Sequence, residues 1–256
     1  MILTPLRQLY GTAERTRVQQ LLCAVALSAA AAMMPAQAGT IDFEGTFGPA
    51  VHGSDIQSAG YALGFFSVVP GAVMGEDFVG TFLDGADSQS CDASLRCPVN
   101  NPSTYYGALN DSVVSIKSNT DARRFAINSF DASFIGGTAN LASYPAMSGL
   151  LQIVGVFADG TSVFETYALA GPSAAGFHFS QYTTTAEFRS NAFVEAYLFG
   201  FSCDSSVNCT PFDSDRAQFG IDNINLTAIP EPASFLLFGV GMIGLGAVAR
   251  RRRVSL

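Results

Sequence analysis

Between Gly39 and Ile229, apolar and polar residues alternate with a period of two, and no comparable stretch repeats every three or four positions. Successive side chains of a strand point to opposite faces, so this alternation marks half-buried β-strands. The first patch is Ile41-Asp42-Phe43-Glu44, in which apolar and acidic residues take turns. Similar patches recur at Tyr61–Val69, Phe78–Leu83, Val113–Lys117, Arg124–Ile135, Leu150–Ala158, Ser162–Ala170, Phe177–Tyr182, Ala192–Phe201 and Gln218–Thr227. Clusters of Gly, Pro, Asn and Asp separate them. Asp159-Gly160, set between two apolar runs, predicts a hairpin. In the last patch Phe219 and Ile221 share one parity and Ile224 and Leu226 the other, which places a β-bulge near Asp222-Asn223. About ten strands suffice for two packed sheets. No repeat of 20–50 residues suggests a propeller or a β-helix.

The two ends have a different character. Arg7, Arg15 and Arg17 precede an alanine-rich apolar run from Leu21 to Met34, followed by Ala36-Gln37-Ala38. That order predicts a secretory signal peptide over residues 1–38, cleaved between Ala38 and Gly39. At the other end, Pro230-Glu231-Pro232 leads into the uncharged run Ala233–Ala249 and then Arg250, Arg251, Arg252 and Arg253. As a helix the run would span roughly 25 Å at 1.5 Å per residue. A hydrocarbon core is about 30 Å thick, and flanking arginines can snorkel across the difference. The arginine cluster should keep the extreme C-terminus in the cytoplasm and place the rest of the chain across the membrane. The two prolines block helix continuation and leave an extended segment outside the bilayer. Gly239, Gly241, Gly244 and Gly246 weaken the run as a permanent anchor.

The ordered set of Pro-Glu-Pro box, glycine-rich apolar helix and arginine cluster resembles a PEP-CTERM sorting tail. That resemblance implies an exosortase-type processing enzyme as partner and a transient membrane attachment through the tail. The same tail occurs on proteins described as carrying an ice-binding C-terminal domain. Three regions follow: a signal peptide (1–38), a β domain (39–229) and a sorting tail (230–256).

Charge sharpens this division. The central region holds 19 acidic and six basic residues, a net charge of −13 that the −8 of the whole chain conceals. Such a body repels phosphate backbones, which excludes nucleic acid as a partner. It suits secretion, calcium and neutral polysaccharide. Cys23 falls in the signal peptide, leaving Cys91, Cys97, Cys203 and Cys209 as two equally spaced pairs. In an exported protein an even count predicts disulfides, and the polar loops around each pair favour the local connectivity.

The body resembles the jelly-roll domains of PEP-CTERM proteins in Ile41–Gly45, Phe125–Ser133 and Phe219–Ile224, domains similar to galactose-binding-type carbohydrate modules. The resemblance implies adjacent first and last strands. Asp42 or Glu44 would then approach Asp222, where related modules keep a structural calcium. The same residues also read as solvent-facing strand positions beside a bulge. Asp204, Asp213 and Asp215 form a second acidic group, read as a solvated loop or a metal site. For sugar binding, the best sequence candidate is Tyr105-Tyr106 among Asn100, Asn101, Pro102 and Asn110, with Tyr144 and Tyr182 in similar settings. The absence of tryptophan weakens that reading.

Catalytic signals are sparse. The two histidines, His52 and His178, are too few for most metal-hydrolase sites, and no G-x-S-x-G elbow occurs. A glycosidase carboxylate pair is not decided by sequence spacing. The expectation is a non-enzymatic exported protein of the cell surface or extracellular polysaccharide matrix, structural or adhesive and glycan-binding. The alternatives are a hydrolase acting on that matrix and an ice-binding surface, for which Thr183-Thr184-Thr185 is the only threonine run.

Overall fold

The computed structural model describes residues 38–119, 124–137, 140–213 and 215–229. Ala36, Pro230-Glu231-Pro232 and the four terminal arginines, and with them the expected signal peptide and sorting tail, lie outside the described residues apart from Ala38. No helix among the described residues is long and apolar enough to cross a membrane.

Two antiparallel sheets face each other, as the alternation predicts. The first runs in the order β13 (Ser180–Thr183), β9 (Arg124–Phe134), β16 (Phe219–Ile229), β7 (Thr104–Ala108), β5 (Phe78–Asp84) and β2 (Gly48–Val51), with β1 (Ala38–Ile41) also paired to β16. The second runs β12 (Ser162–Ala170), β11 (Met147–Val156), β14 (Glu195–Cys203), β8 (Ser112–Ser118), β4 (Tyr61–Ser67) and β3 (Ser54–Ser58), with β15 (Cys209–Pro211) beside β14. A short ribbon pairs β6 (Leu95–Arg96) with β10 (Gly136–Gly137). One helical turn, α1 (Ala186–Arg189), is capped by Thr185, whose hydroxyl accepts the Phe188 N–H.

Between the sheets, Leu63, Phe65, Val114, Ile116, Leu151, Ile153 and Leu198 meet Phe125, Ile127, Tyr106, Ile221, Ile224 and Leu226, all fully buried. Phenylalanine and tyrosine supply the bulk; the Phe65 and Tyr106 ring centroids are 4.4 Å apart. The first and last strands are neighbours, with Ile41 opposite Ile224. The bulge falls where the parity change placed it, because the β16–β9 register breaks between Asp222 and Asn225 and Asn223 has φ 49°. Both halves of β16 therefore face the same core. The β11–β12 hairpin turns through Asp159-Gly160, with Gly160 at φ 82° and the Asp159 carboxylate accepting the Thr161 N–H at 2.9 Å.

The outer faces of the sheets are treated differently. Residues 85–103, between β5 and β7, cross back over the first sheet. Leu95 and Cys97 pack there with Phe179 on Leu83, Tyr105, Leu109 and Ile135, making a second small core. The Asn100 side chain clasps the Phe179 backbone, its amide donating to the carbonyl at 3.0 Å and its oxygen accepting the N–H at 2.6 Å. This clasp delays β13, which begins at Ser180 rather than at the expected Phe177. Among the described residues no such cover lies over the second sheet.

Ala38 and Ile229 lie on paired strands at one end of the sandwich, since Ala38 is opposite Thr227. The opposite end carries the loops around Leu109–Asp111 and Asp204–Gln218, because Phe219 at the start of β16 sits beside Ala108 at the end of β7. The 11 residues of β16 separate the two poles by about 35 Å at roughly 3.3 Å per residue.

Candidate functional site

The structure corrects the tyrosine assignment. Tyr105 and Tyr106 are 2% and 0% exposed and lie in the central strand β7, not in a loop. The Tyr106 hydroxyl donates to the Val79 carbonyl at 3.0 Å and lies 3.0 Å from Ser112 Oγ. Tyr105 packs edge-on against Phe179, with centroids 5.0 Å apart. Burial pushes both hydroxyls well above the usual phenol range. Neither ring can stack on a sugar. Tyr182 stacks on Phe130 and donates to the Ala168 carbonyl at 2.7 Å.

The three residues implied for calcium also divide into separate roles. Asp222 is fully buried, and its Oδ2 accepts from Asn101 Nδ2 at 2.8 Å, Ser103 Oγ at 2.7 Å and Asn223 Nδ2 at 3.3 Å. Its Oδ1 accepts the Asn223 N–H at 2.8 Å. Glu44 Oε1 instead accepts the Thr104 N–H at 3.1 Å, and Asp42 Oδ1 accepts the Glu44 N–H at 3.3 Å. Donors already surround the buried carboxylate where a cation would need open lone pairs. No group of three or more His, Cys, Asp or Glu side chains among the described residues is placed to hold a metal. The network instead ties the end of the 85–103 cover to β16, and burial raises the Asp222 pKa despite the Asn101 and Ser103 hydrogen bonds.

Both disulfides form as the spacing predicted, Cys91 to Cys97 and Cys203 to Cys209. Their loops help wall a cleft of about 1240 Å³ at the pole opposite Ala38 and Ile229. A small-molecule pocket usually holds about 300–1,000 Å³, so this cleft has room for an oligomeric ligand. Its lining draws on segments scattered from Phe78 to Gln218. Asp92, Asp204, Asp213 and Asp215 line it with Arg216, Gln218, Asn110, Asn208 and several serines. Tyr144 supplies an aromatic ring beside Pro145.

The carboxylates in and around the cleft are held by local hydrogen bonds. Asp204 accepts the Asn208 and Ser206 N–H groups at 2.9 and 2.8 Å, which keeps its carboxyl below the usual carboxylate range. Asp92 is lowered in the same way by Ser94. Asp213 Oδ2 accepts from Ser202 Oγ at 2.7 Å. Asp111, behind this rim, is pushed up by burial, with the Asp215 and Asp213 charges adding to it. The backbone here is strained: of the eight non-glycine residues with positive φ among the described residues, Asn110, Asp111, Val207, Phe212 and Asp215 lie in these polar loops. Such conformations cost of order 1–3 kcal/mol each and concentrate at ligand-binding sites.

Neither histidine heads a catalytic set. His52 Nδ1 accepts the Ser67 N–H at 2.9 Å. His178 Nδ1 lies 3.5 Å from Ser173 Oγ. The threonine run does not form a flat ice-binding face, because Thr183 ends β13, Thr184 is 2% exposed and donates to the Ile127 carbonyl, and Thr185 caps α1.

Comparison with known proteins bears mainly on the tail. Residues 228–253 match the PEP-CTERM protein-sorting motif. The motif marks the chain for export and sorting to the cell envelope. No curated protein matches the chain. Among solved structures, a carbohydrate-binding module of family 29 has TM-score 0.36 and 12% identity, covering 76% of this chain and 90% of its own. A DUF4465 family protein from Bacteroides ovatus has TM-score 0.40 and 7% identity, covering 76% and 100%. A module named TmCBM61, in complex with β-1,4-galactotriose, has TM-score 0.33 and 6% identity, covering 64% and 86%. At these values none of the three bears on what this chain binds.

Proposed function

We propose that this is an envelope protein whose β-sandwich holds polysaccharide at or beyond the cell surface, without turning it over. The observation that carries the reading is the polar cleft at the pole of the sandwich opposite Ala38 and Ile229. Sugar hydroxyls are donors and acceptors, and the cleft offers carboxylates, amides, hydroxyls and one tyrosine ring to meet them. A body of charge −13 favours a neutral glycan over an acidic one. Signal-peptidase cleavage before Gly39 and exosortase processing at the Pro-Glu-Pro box complete the route. Cleavage before Gly39 leaves Gly39-Thr40-Ile41 paired to β16.

A second reading, a matrix hydrolase, is favoured by the carboxylates that line the cleft, Asp92, Asp204, Asp213 and Asp215. One experiment separates the two: incubate the processed protein with a panel of neutral polysaccharides and follow both binding and reducing ends. Saturable binding with no new reducing ends supports the binding module. New reducing ends, abolished by Asp213→Asn with Asp215→Asn, support the hydrolase.

A further inference from the structure

The bare outer face of the second sheet is the most unusual surface of the described residues. On β14 the inward positions Ala196 and Leu198 are buried, so Tyr197, Phe199 and Phe201 point outward. The register sets Phe199 between Gln152 of β11 and Val113 of β8, with Phe66 of β4 beyond Val113. Tyr197 sits opposite Val154, and Phe164 of β12 lies beyond it, 69% exposed. Phe212 extends the row, its ring 5.1 Å from Phe199, which is itself 5.7 Å from Phe201. Outward positions of a solvated sheet are normally polar. A contiguous aromatic surface of this kind marks a binding site.

The chemistry of the face narrows its occupant. Lys117 and Glu195 neutralise each other at 2.8 Å, and Asp55 stands apart on the edge strand β3, opposite Gly64, so the aromatic part of the face carries little net charge on a body of −13. Two copies meeting here would bring two strongly acidic bodies together, and an anionic lipid surface would be repelled. Polar groups are interleaved with the rings: Gln152 Nε2 donates to Thr166 Oγ1 at 3.2 Å in the same row as Phe199. Burial, and then the hydrogen bond and charge of Glu195 beside it, raise the Tyr197 hydroxyl to about 12, so the ring stays neutral at physiological pH. Rings alternating with hydrogen-bonding groups complement a pyranose chain, which has C–H faces and equatorial hydroxyls. A patch of little net charge complements an uncharged polymer.

We propose that this face is a second polysaccharide-binding surface, distinct from the polar cleft, taking a neutral polymer by stacking on Tyr197, Phe199 and Phe164. The inference rests on the glycan-binding reading above and extends it. With one site at the pole and one on the flank, a single molecule can hold two polymer chains together. It becomes a cross-linker of the matrix.

The test uses the processed protein in affinity electrophoresis through gels containing glucomannan, β-1,4-galactan or hydroxyethylcellulose, with turbidity of the soluble mixtures as a measure of cross-linking. The wild type should be retarded by at least one polymer and should cloud it. Phe199→Ala with Tyr197→Ala should weaken retardation at least tenfold and abolish clouding. Asp215→Ala with Arg216→Ala, in the cleft, should abolish clouding but keep the flank-dependent retardation. Phe164→Ala, an exposed and fold-neutral change, should weaken retardation severalfold even if the double variant misfolds. Flank variants that bind and cloud like the wild type overturn this inference while leaving the cleft reading standing. A wild type retarded by no polymer overturns the glycan-binding reading itself. A concentration-dependent dimer in sedimentation that Tyr197→Ala dissolves overturns the flank site alone, by making the face a contact between copies.

Discussion

The two sheets of this sandwich solve the same problem in opposite ways. Each has an outer face carrying large apolar side chains. The first buries its own under residues 85–103, so Tyr105, Leu83 and Ile135 join a second core. The second leaves Phe164, Phe66 and the outward row of β14 in contact with solvent. Apolar area removed from water is worth roughly 25 cal/mol per Å². A covered face therefore contributes stability, whereas a bare one holds its gain in reserve for a partner. The difference separates the part of the molecule built to stay folded from the part built to bind.

That contrast breaks first at Tyr105. Truncation to alanine under the cover should destabilise the protein by about 3–5 kcal/mol, as for large aromatic core residues, measured by urea denaturation. A loss below about 1 kcal/mol would mean that the cover does not pack on the sheet. Next comes the staple inside the cover. Replacing Cys91 and Cys97 by serine should cost about 2 kcal/mol from the lost loop constraint, and should increase hydrogen exchange over residues 85–103 more than elsewhere.

A smaller effect concerns the acid that ties the cover to β16. Burial raises the folded pKa of Asp222 above its unfolded value near 3.8, so the folded state binds the proton more tightly. Its contribution to stability is therefore highest below about pH 4 and is lost as pH rises through the raised folded value. The stability of the wild type minus that of Asp222→Asn, followed against pH, should show this downward slope. The smallest effect is expected on the bare side: Phe164→Ala should change stability by about 0.5 kcal/mol or less while lowering polysaccharide retention. A change in stability comparable to that of Tyr105→Ala would erase the distinction between the two faces.

The legible parts of the sequence were those where one physical rule acts alone. Ser162–Ala170 alternates, and the strand has those bounds. The parity change at Asp222-Asn223 is a bulge, and the two short cysteine spacings are the two disulfides. Thr104–Ala108 was illegible because it is buried throughout, by the core on one side and by residues 85–103 on the other. A strand buried on both faces loses the period of two, and between Asn and Pro clusters it reads as a loop. This misplaced the tyrosines. The better aromatic candidates, Tyr197, Phe199 and Phe201, stood in a strand already marked, and their outward parity was the available signal. The cleft could not be read at all, because loops far apart in the chain assemble it only once both sheets have formed.

The central claim is that the mature body binds neutral polysaccharide without cleaving it. Affinity electrophoresis of the processed protein across the neutral panel, with reducing ends assayed in parallel, tests it most directly. Saturable retardation by at least one polymer, with no new reducing ends, is the expected result. Free migration through every gel, or steady release of oligosaccharide from the polymer that is bound, would contradict it.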